Sequence, residues 1–413
     1  MRVLIQTVGS AGDVHPFIGV GKALVARGHE VVLFGNEVFA GVAERAGLTF
    51  VRSGDAERFE RTHEDPDIWD PSKSLEVVVR GFVIPELTNA IASIESYLDD
   101  STVLVGSTLG FAARIVRELH EVPLVVAHLA PTAFRSYHRL AKTDRMLVGD
   151  RSPRFMKRAW FRFVDGYSDR AVGPGLNEVR AERGLEPVSK VFSQWIHSPD
   201  RTLGLFPDWF GPPQPDWPET VRLTGFPLFD ESDQRPVDPD LEAWLSDGAP
   251  PVVFTAGSQN NGGSDFFRAA VSACQALDLR ALLATRNPDV VPPHLPPTIR
   301  HEAYVPFGRL LPRSRALVSH GGVGTSAQAL AAGIPHLVTY LAFDQRDNGS
   351  RFEDLGAGRA IRMRKFSGRT AQRALESILE DGVVTQAREL SGSIDRDAAL
   401  DATCQQIEAV TIQ

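Results

Sequence analysis

The stretch VSHGGVGTSAQALAAGIPHLVTYLAFDQRDN, Val318–Asn348, decides the fold. It leaves an apolar run, "ALVSH", for a glycine turn, "GGVGT", continues as "SAQALAAG", which Gly333 ends, and resumes as a second apolar run, "IPHLVTY". Short apolar runs bounded by turn residues read as buried strands, and the alanine-rich segment between them reads as a helix. Strand, glycine loop, helix and strand make one step of a doubly wound parallel sheet. The helix start after such a loop offers unpaired N–H groups and about half a positive charge, so it suits a phosphate or diphosphate. Gly321, Gly322 and Gly324 would let the backbone approach the anion, Thr325 and Ser326 would add hydroxyl donors, and His320 an imidazole donor. The plain alternative is a turn that only packs helix on sheet. Asp344 and Gln345 of "DQRDN" follow the next strand, where a carboxylate and an amide could bind sugar hydroxyls. Capping the next helix is the other role open to Asp344.

Outward from this segment the same grammar recurs. Upstream, "PPVVFTAGS" gives a strand and a glycine turn, "DFFRAAVSACQAL" a helix, and "LRALLAT" and "IRHEAYV" further strands. At the start of the chain "MRVLIQTVGS" and "GSAGDVH" repeat strand and turn, with a helix expected from Pro16 to about Arg27, stopped by Gly28. "EVVLFG", "EVFAGVAERAG" and "LTFV" then read as strand, helix and strand. Between the halves, "FPDWFGPPQPDWPETVRLTGFPLFDESDQRPVDPD" is rich in proline and acid, which neither a long helix nor a central strand accepts. We therefore expect an α/β fold of two doubly wound, Rossmann-like domains, 1–225 and 241–413, joined by a linker at 226–240. The last helix is a candidate to cross back to the first domain. Ligands of such sheets sit at the carboxyl ends of the strands, so both glycine turns are expected to face a cleft.

With 413 residues and a formal net charge of -8, the chain lacks the basic footprint of a nucleic-acid binder. Two cysteines, Cys274 and Cys404, with no metal or disulfide spacing, read as packed, reduced thiols of a cytoplasmic protein. The first residues form a strand rather than an export signal, and runs such as "VPLVVAHLAPTAF" fall short of the roughly 20 apolar residues a membrane span needs. Membrane contact would then be peripheral, at the inner face.

"HGGVGT", "ALAAGIP" and "DQRDN", with "GSAGDVHPF" near the start, resemble the two-domain GT-B glycosyltransferases that use nucleotide sugars, the family of plant, macrolide and sterol glycosyltransferases. "DPDIWDPSKS", "FSQWIHSPD" and the proline-rich stretch resemble the rhamnosyltransferase B chain of rhamnolipid synthesis and its bacterial relatives. The resemblance implies a TDP- or UDP-linked sugar as donor substrate and no separate cofactor. It sets the diphosphate against His320, Gly322 and Thr325 with Ser258 nearby, the sugar hydroxyls on Asp344 and Gln345, and the base on Tyr304. Phe307 stands where plant members carry a polar residue. Gln328 stands where they carry a ribose-binding glutamate, which would suit a nucleotide with fewer ribose hydroxyls.

Inverting transfer needs a base for the acceptor hydroxyl and a stabiliser for the leaving diphosphate. The helix expected from Thr325 would supply the second without a metal. For the base, Asp13 is the first choice, by resemblance and by its place in the first loop; capping the helix at Pro16 is compatible with that role. An ordinary Asp is a weak base, so Val14, Phe17 and an apolar acceptor would have to raise its pKa by desolvation. His15 is the second candidate. The two "DPD" triplets, Asp65–Asp67 and Asp238–Asp240, are read as loop residues rather than metal ligands. The apolar run 75–98 could line an acyl groove or simply pack in the core. "MKRAWFRF", 156–163, could hold a carboxylate, rest on an anionic membrane, or form an ordinary amphipathic helix. A glucosyltransferase acting on a natural product, sterol or polyphenol, a nucleotide-sugar 2-epimerase and a non-catalytic nucleotide-binding subunit are the other readings.

Overall fold

Strands β1 (Arg2–Gln6), β2 (Glu30–Gly35), β3 (Thr49–Arg52), β4 (Thr102–Ser107), β5 (Leu124–His128), β6 (Arg201–Gly204) and β7 (Val221–Leu223) form one parallel sheet in the order β3-β2-β1-β4-β5-β6-β7. The computed structural model describes residues 1–143, 146–232, 236–257 and 263–410. A second parallel sheet takes β8 (Val252–Thr255), β9 (Ala281–Ala284), β10 (Ile299–Glu302), β11 (Ala316–Ser319), β12 (His336–Tyr340) and β13 (Gly358–Arg362) in the order β10-β9-β8-β11-β12-β13. Helices cover both faces of such sheets, which is why β4, β5, β8 and β11 are buried at every position and read as unbroken apolar runs. In each sheet the winding reverses beside the first strand, between β1 and β4 and between β8 and β11. The loops leaving these pairs lie at the switch points where ligands of doubly wound sheets bind.

The chain divides into two compact units, Met1–Phe229 with Arg396–Gln413, and Asp230–Asp395. The last helix, Arg396–Glu408, packs in the first unit, where Cys404 and Ile407 join the core. Arg27 donates to Asp401 at 2.7 Å and to Glu408 at 2.7 and 2.6 Å, and its hydrogen bond holds the Glu408 carboxyl down to about 2. Both cysteines are free and buried, and burial pushes their thiols up to about 12 for Cys274 and about 11 for Cys404.

Two local expectations need correction. The first helix runs Ala11–Ala26, not from Pro16, because Ser10 caps it and Asp13 sits in its first turn; Pro16 lies inside, where it forfeits only one early backbone bond. "EVFAGVAERAG" yields only a short 3₁₀ turn, Glu37–Phe39, and the helix Ala40–Arg45. The proline-rich stretch contributes an edge strand, β7, where proline neighbours are tolerated. The apolar run 75–98 folds as helices Ser74–Val78 and Ile84–Glu95 with a π turn between. Ser74–Glu95 is long and apolar enough to cross a membrane, yet Val79, Phe82, Val83, Leu87, Ala90, Ile91 and Ile94 belong to the core of the first unit. These residues take the core-packing role open to the run.

Candidate functional site

In the first unit, the loop after β1 is shaped around one carboxylate. Val8 N donates to Ser107 Oγ at 3.1 Å, which ties this loop to the end of β4. Gly9 takes φ +132°, and a Cβ there would lie 2.5 Å from Asp13 Oδ2, so the carboxylate folds back over a position only glycine fills. Asp13 Oδ2 accepts from Ser10 N at 2.8 Å and from Ser10 Oγ at 3.0 Å. These bonds pull its pKa down, but burial outweighs them and the carboxyl is raised above its ordinary value. Asp13 thus belongs to the capping box of a helix starting at Ala11 and does not cap one at Pro16. His15 stands edge-on to Phe39 and Phe229, with ring centroids 6.4 and 5.9 Å away.

A buried hydrogen-bonded chain that the sequence did not reveal joins the ends of β4 and β5. Thr108 Oγ1 lies 3.0 Å from His128 Nδ1, and His128 Nε2 lies 3.1 Å from His197 Nδ1. Both rings are buried against Phe134, and desolvation holds them neutral, His197 at about 4 and His128 well below its ordinary value. His197 is 69 residues from His128, so no local motif announces the pair.

In the second unit, the loop after β11 leads to the helix Val323–Ala331, which starts two residues earlier than the expected Thr325, with Gly322 at the cap. Glycine has no side chain to cap with, so the first-turn N–H groups stay open. Gly321 takes φ +89°, where a Cβ would collide with Val338 Cγ1. The His320 ring packs between Gly257 and Gly322: a Cβ on either would come within 2.6 Å of it. Its Nδ1 is buried and has no hydrogen-bond partner among the described residues, and burial lowers its pKa to about 4. The imidazole is therefore a neutral group at the open helix start. Gly324, Thr325 and Gln328 are half-buried and share one face of this helix. Ser326 is fully buried on the sheet side with Ala329 and Leu330, so it offers no donor to a ligand, contrary to expectation. Ser258 lies outside the described residues.

Beneath the loop is a buried polar network. Ser319 Oγ accepts from Gly321 N at 3.2 Å and lies 2.9 Å from His336 Nε2, while Thr339 Oγ1 donates to Ser319 O at 3.0 Å. Asn348 Nδ2 donates to Gly321 O at 3.0 Å and to Asp344 Oδ2 at 2.8 Å. "DQRDN" is thus bonded to the glycine loop from below. Asp344 occupies the cap position of the helix Gln345–Asp354, although its carboxylate receives Asn348 rather than a backbone N–H. Gln345 is 3% exposed, and its Oε1 accepts from Leu341 N at 2.8 Å and Ala342 N at 3.1 Å, which braces the turn ahead of its helix. Tyr304, half-buried after β10, has the Arg286 guanidinium 5.7 Å from its ring centroid, a neighbour the sequence did not suggest.

The "DPD" triplets are helix caps. Asp65 accepts from Asp67 N at 2.9 Å, Asp67 pairs with Lys73, and Asp238 accepts from Asp240 N at 2.9 Å and Leu241 N at 3.3 Å. Among the described residues no group of three or more His, Cys, Asp or Glu could hold a metal ion.

Residues 3–138 match the glycosyltransferase family 28 N-terminal domain, and residues 271–410 match the erythromycin biosynthesis protein CIII-like C-terminal domain. The chain is 28% identical to an O-mycaminosyltylonolide 6-deoxyallosyltransferase of Streptomyces fradiae, over 99% of this chain and 97% of that protein. Its fold is similar to the glycosyltransferase of kitacinnamycin (TM-score 0.75, 20% identity, 100% of this chain and 99% of that one). It is also similar to the spinosyn rhamnosyltransferase SpnG complexed with thymidine diphosphate (TM-score 0.69, 20% identity, 98% and 100%).

Proposed function

Because the chain joins a family 28 domain to an erythromycin CIII-like domain and so belongs to the GT-B glycosyltransferases, whose donors are nucleotide sugars and which need no separate cofactor, we infer a particular transfer. A hexose, rhamnose first among them, moves with inversion from a TDP-linked donor to a hydroxyl of a largely apolar acceptor. Asp13 takes the hydroxyl proton as the acceptor oxygen attacks C1; the bond from C1 to the diphosphate oxygen breaks, and its electron pair stays on the diphosphate. The N–H groups from Gly322 to Thr325, the Thr325 hydroxyl and His320 receive that charge without a metal ion. Tyr304 stacks on the base, Gln328 reaches the ribose, and Asp344 with the NH₂ end of Gln345 holds the sugar. Ser258 belongs to the same donor site by resemblance, and His15 is the second candidate for the base.

The observation that carries this reading is the placement of Asp13: a half-buried carboxylate in the first turn of the switch-point helix, held by Ser10 alone among the hydrogen bonds named and raised above its ordinary value by desolvation, which favours a proton acceptor. The aromatic rings around His15 support an apolar acceptor. The segments resembling rhamnolipid rhamnosyltransferases, and the SpnG likeness, support rhamnose on TDP. We place the enzyme in the cytoplasm with peripheral contact at the inner membrane face. The epimerase and non-catalytic readings lose ground because the relative and structures named above are all glycosyltransferases.

The test is kcat/KM for TDP-rhamnose, TDP-glucose and UDP-glucose with one apolar alcohol as acceptor. A preference of roughly tenfold or more for TDP-rhamnose is expected, since one misplaced methyl or hydroxyl costs about 1–3 kcal/mol. Preference for UDP-glucose would overturn the sugar, and sugar conversion without any acceptor would restore the epimerase.

A further inference from the structure

The long helix Arg154–Glu182 begins with a segment that the transfer chemistry does not use. Going round it at about 100° per residue, three sectors separate. Lys157 and Phe161 point inward: the Lys157 ammonium donates to Tyr137 O and Asp150 O, both at 2.6 Å, and Phe161 packs under the Arg135 guanidinium and against Tyr137. The next sector carries Arg154, Arg158 and Arg162, all exposed. The third carries Phe155, Met156, Trp160 and Phe163; Phe155 is 72% exposed, Phe163 63% and Met156 40%, and Trp160 stacks on Phe163 with centroids 5.7 Å apart. Leu147, just before the helix, is 80% exposed.

We propose that this helix start is a docking surface for an anionic lipid bilayer, with the aromatic sector entering the headgroup region and the arginine sector lying along it. The inference deepens the membrane contact named above. It rests on nothing in the donor or base assignments, so vesicle binding and turnover fail independently. Three observations favour a bilayer over other occupants. Side chains this exposed stand out from the surface, whereas a protein partner for them needs a groove, and a bilayer accepts protruding aromatics anywhere along its interface. From 151 to 164 the sequence holds five basic residues and no Asp or Glu, within a chain whose net charge is -8, so the local charge is opposite to that of the whole and complements an anionic surface. A second copy docked through the same stripe about a two-fold axis would set Arg154, Arg158 and Arg162 against their own counterparts, with no acid on the stripe to answer them.

The experiment is sedimentation of the full chain with phosphatidylcholine vesicles, with and without phosphatidylglycerol, in the absence of sugar donor. Binding is expected only with phosphatidylglycerol and should weaken as salt is raised. R158Q/R162Q should weaken it roughly 25-fold, at about fivefold for each charge, and F155S/F163S roughly tenfold or more. Both pairs are exposed, so melting temperature and turnover of a soluble acceptor should stay at wild-type values. The proposal is overturned by absence of binding to the anionic vesicles, by equal binding to both kinds, or by wild-type binding in R158Q/R162Q. It is also overturned if sedimentation velocity shows a dimer that F155S/F163S converts to monomer, since a second copy would then cover the face.

Discussion

The two switch-point helices of this chain start in opposite ways. The helix Ala11–Ala26 brings its own anion: Asp13, in its first turn, turns back to accept two hydrogen bonds from Ser10. The helix Val323–Ala331 brings none, since its cap is Gly322 and the nearest ring, His320, is neutral. Both starts carry the partial positive charge of aligned peptides. Where a carboxylate already occupies that place, a phosphate is repelled, and the proposed function gives that carboxylate the part of a base. Where glycine leaves it open, a diphosphate can enter and neutral donors meet it. The difference between the two starts rests on Asp13 in the first turn of one helix and on Gly322 at the cap of the other.

The comparison breaks most visibly at Asp13. Asp13→Asn keeps the shape and removes the proton acceptor, so kcat should fall roughly 10³-fold, within the range for loss of a general base, while donor affinity holds. Stability supplies a control. A carboxyl whose folded pKa is raised contributes stability below its unfolded pKa and loses it as pH rises through the folded one, so at neutral pH the ionised Asp13 costs stability. Asp13→Asn should therefore melt no lower than wild type at neutral pH. A variant that melts normally and retains most of its kcat would move the role to His15.

The second helix should respond in binding rather than in chemistry alone. His320→Ala and Thr325→Ala are each expected to weaken the nucleoside diphosphate by about tenfold, the cost of one hydrogen bond to a charged group, with kcat/KM falling alongside. Calorimetry with TDP and with UDP reads this directly. Unchanged diphosphate affinity in both variants would mean that the open helix start is not the anion site, and the contrast between the two units would lose its second half.

Much of this contrast was legible before any coordinates. Apolar runs gave most of the strands, since residues buried on both faces of a parallel sheet leave no polar alternation to disguise them. The glycines of "HGGVGT" marked a place where backbone must come close, and Gly321 indeed adopts a conformation that side chains avoid. The reading failed where distance along the chain hides proximity. Asn348 was within view in "DQRDN", yet its bond to the Gly321 carbonyl needs two loops folded together, and the same holds for Ser319 with His336 and for His128 with His197. Pro16 misled for a different reason. Proline favours the first helical turn, but Ser10 and Asp13 formed a stronger start signal upstream, and the ring was tolerated inside. In the apolar run 75–98 the hydrophobic signal was real and only its destination, core instead of groove, was open.

The smallest effect expected is also the one that reads both sites at once. Burial moves the two groups in opposite directions, Asp13 upward and His320 down to about 4, because in each case it disfavours the charged form. Asp13 acts as a base only when ionised, so kcat should fall on the acid side with the slope of a single proton, centred above the ordinary carboxyl value. His320 contributes as a neutral donor and is already neutral throughout that range, so donor binding should show no step near 6.5, the ordinary imidazole value. The nucleotide sugar is the right probe, since each of its two phosphates stays singly ionised where a free diphosphate would itself titrate. We expect donor affinity to change by less than about twofold between pH 6 and 7.5, whatever kcat does over the same interval. A clear gain in donor affinity as pH falls through 6.5 would mean that an imidazolium faces the phosphates, and the second helix would then hold its ligand by charge rather than by the open N–H groups that distinguish it from the first.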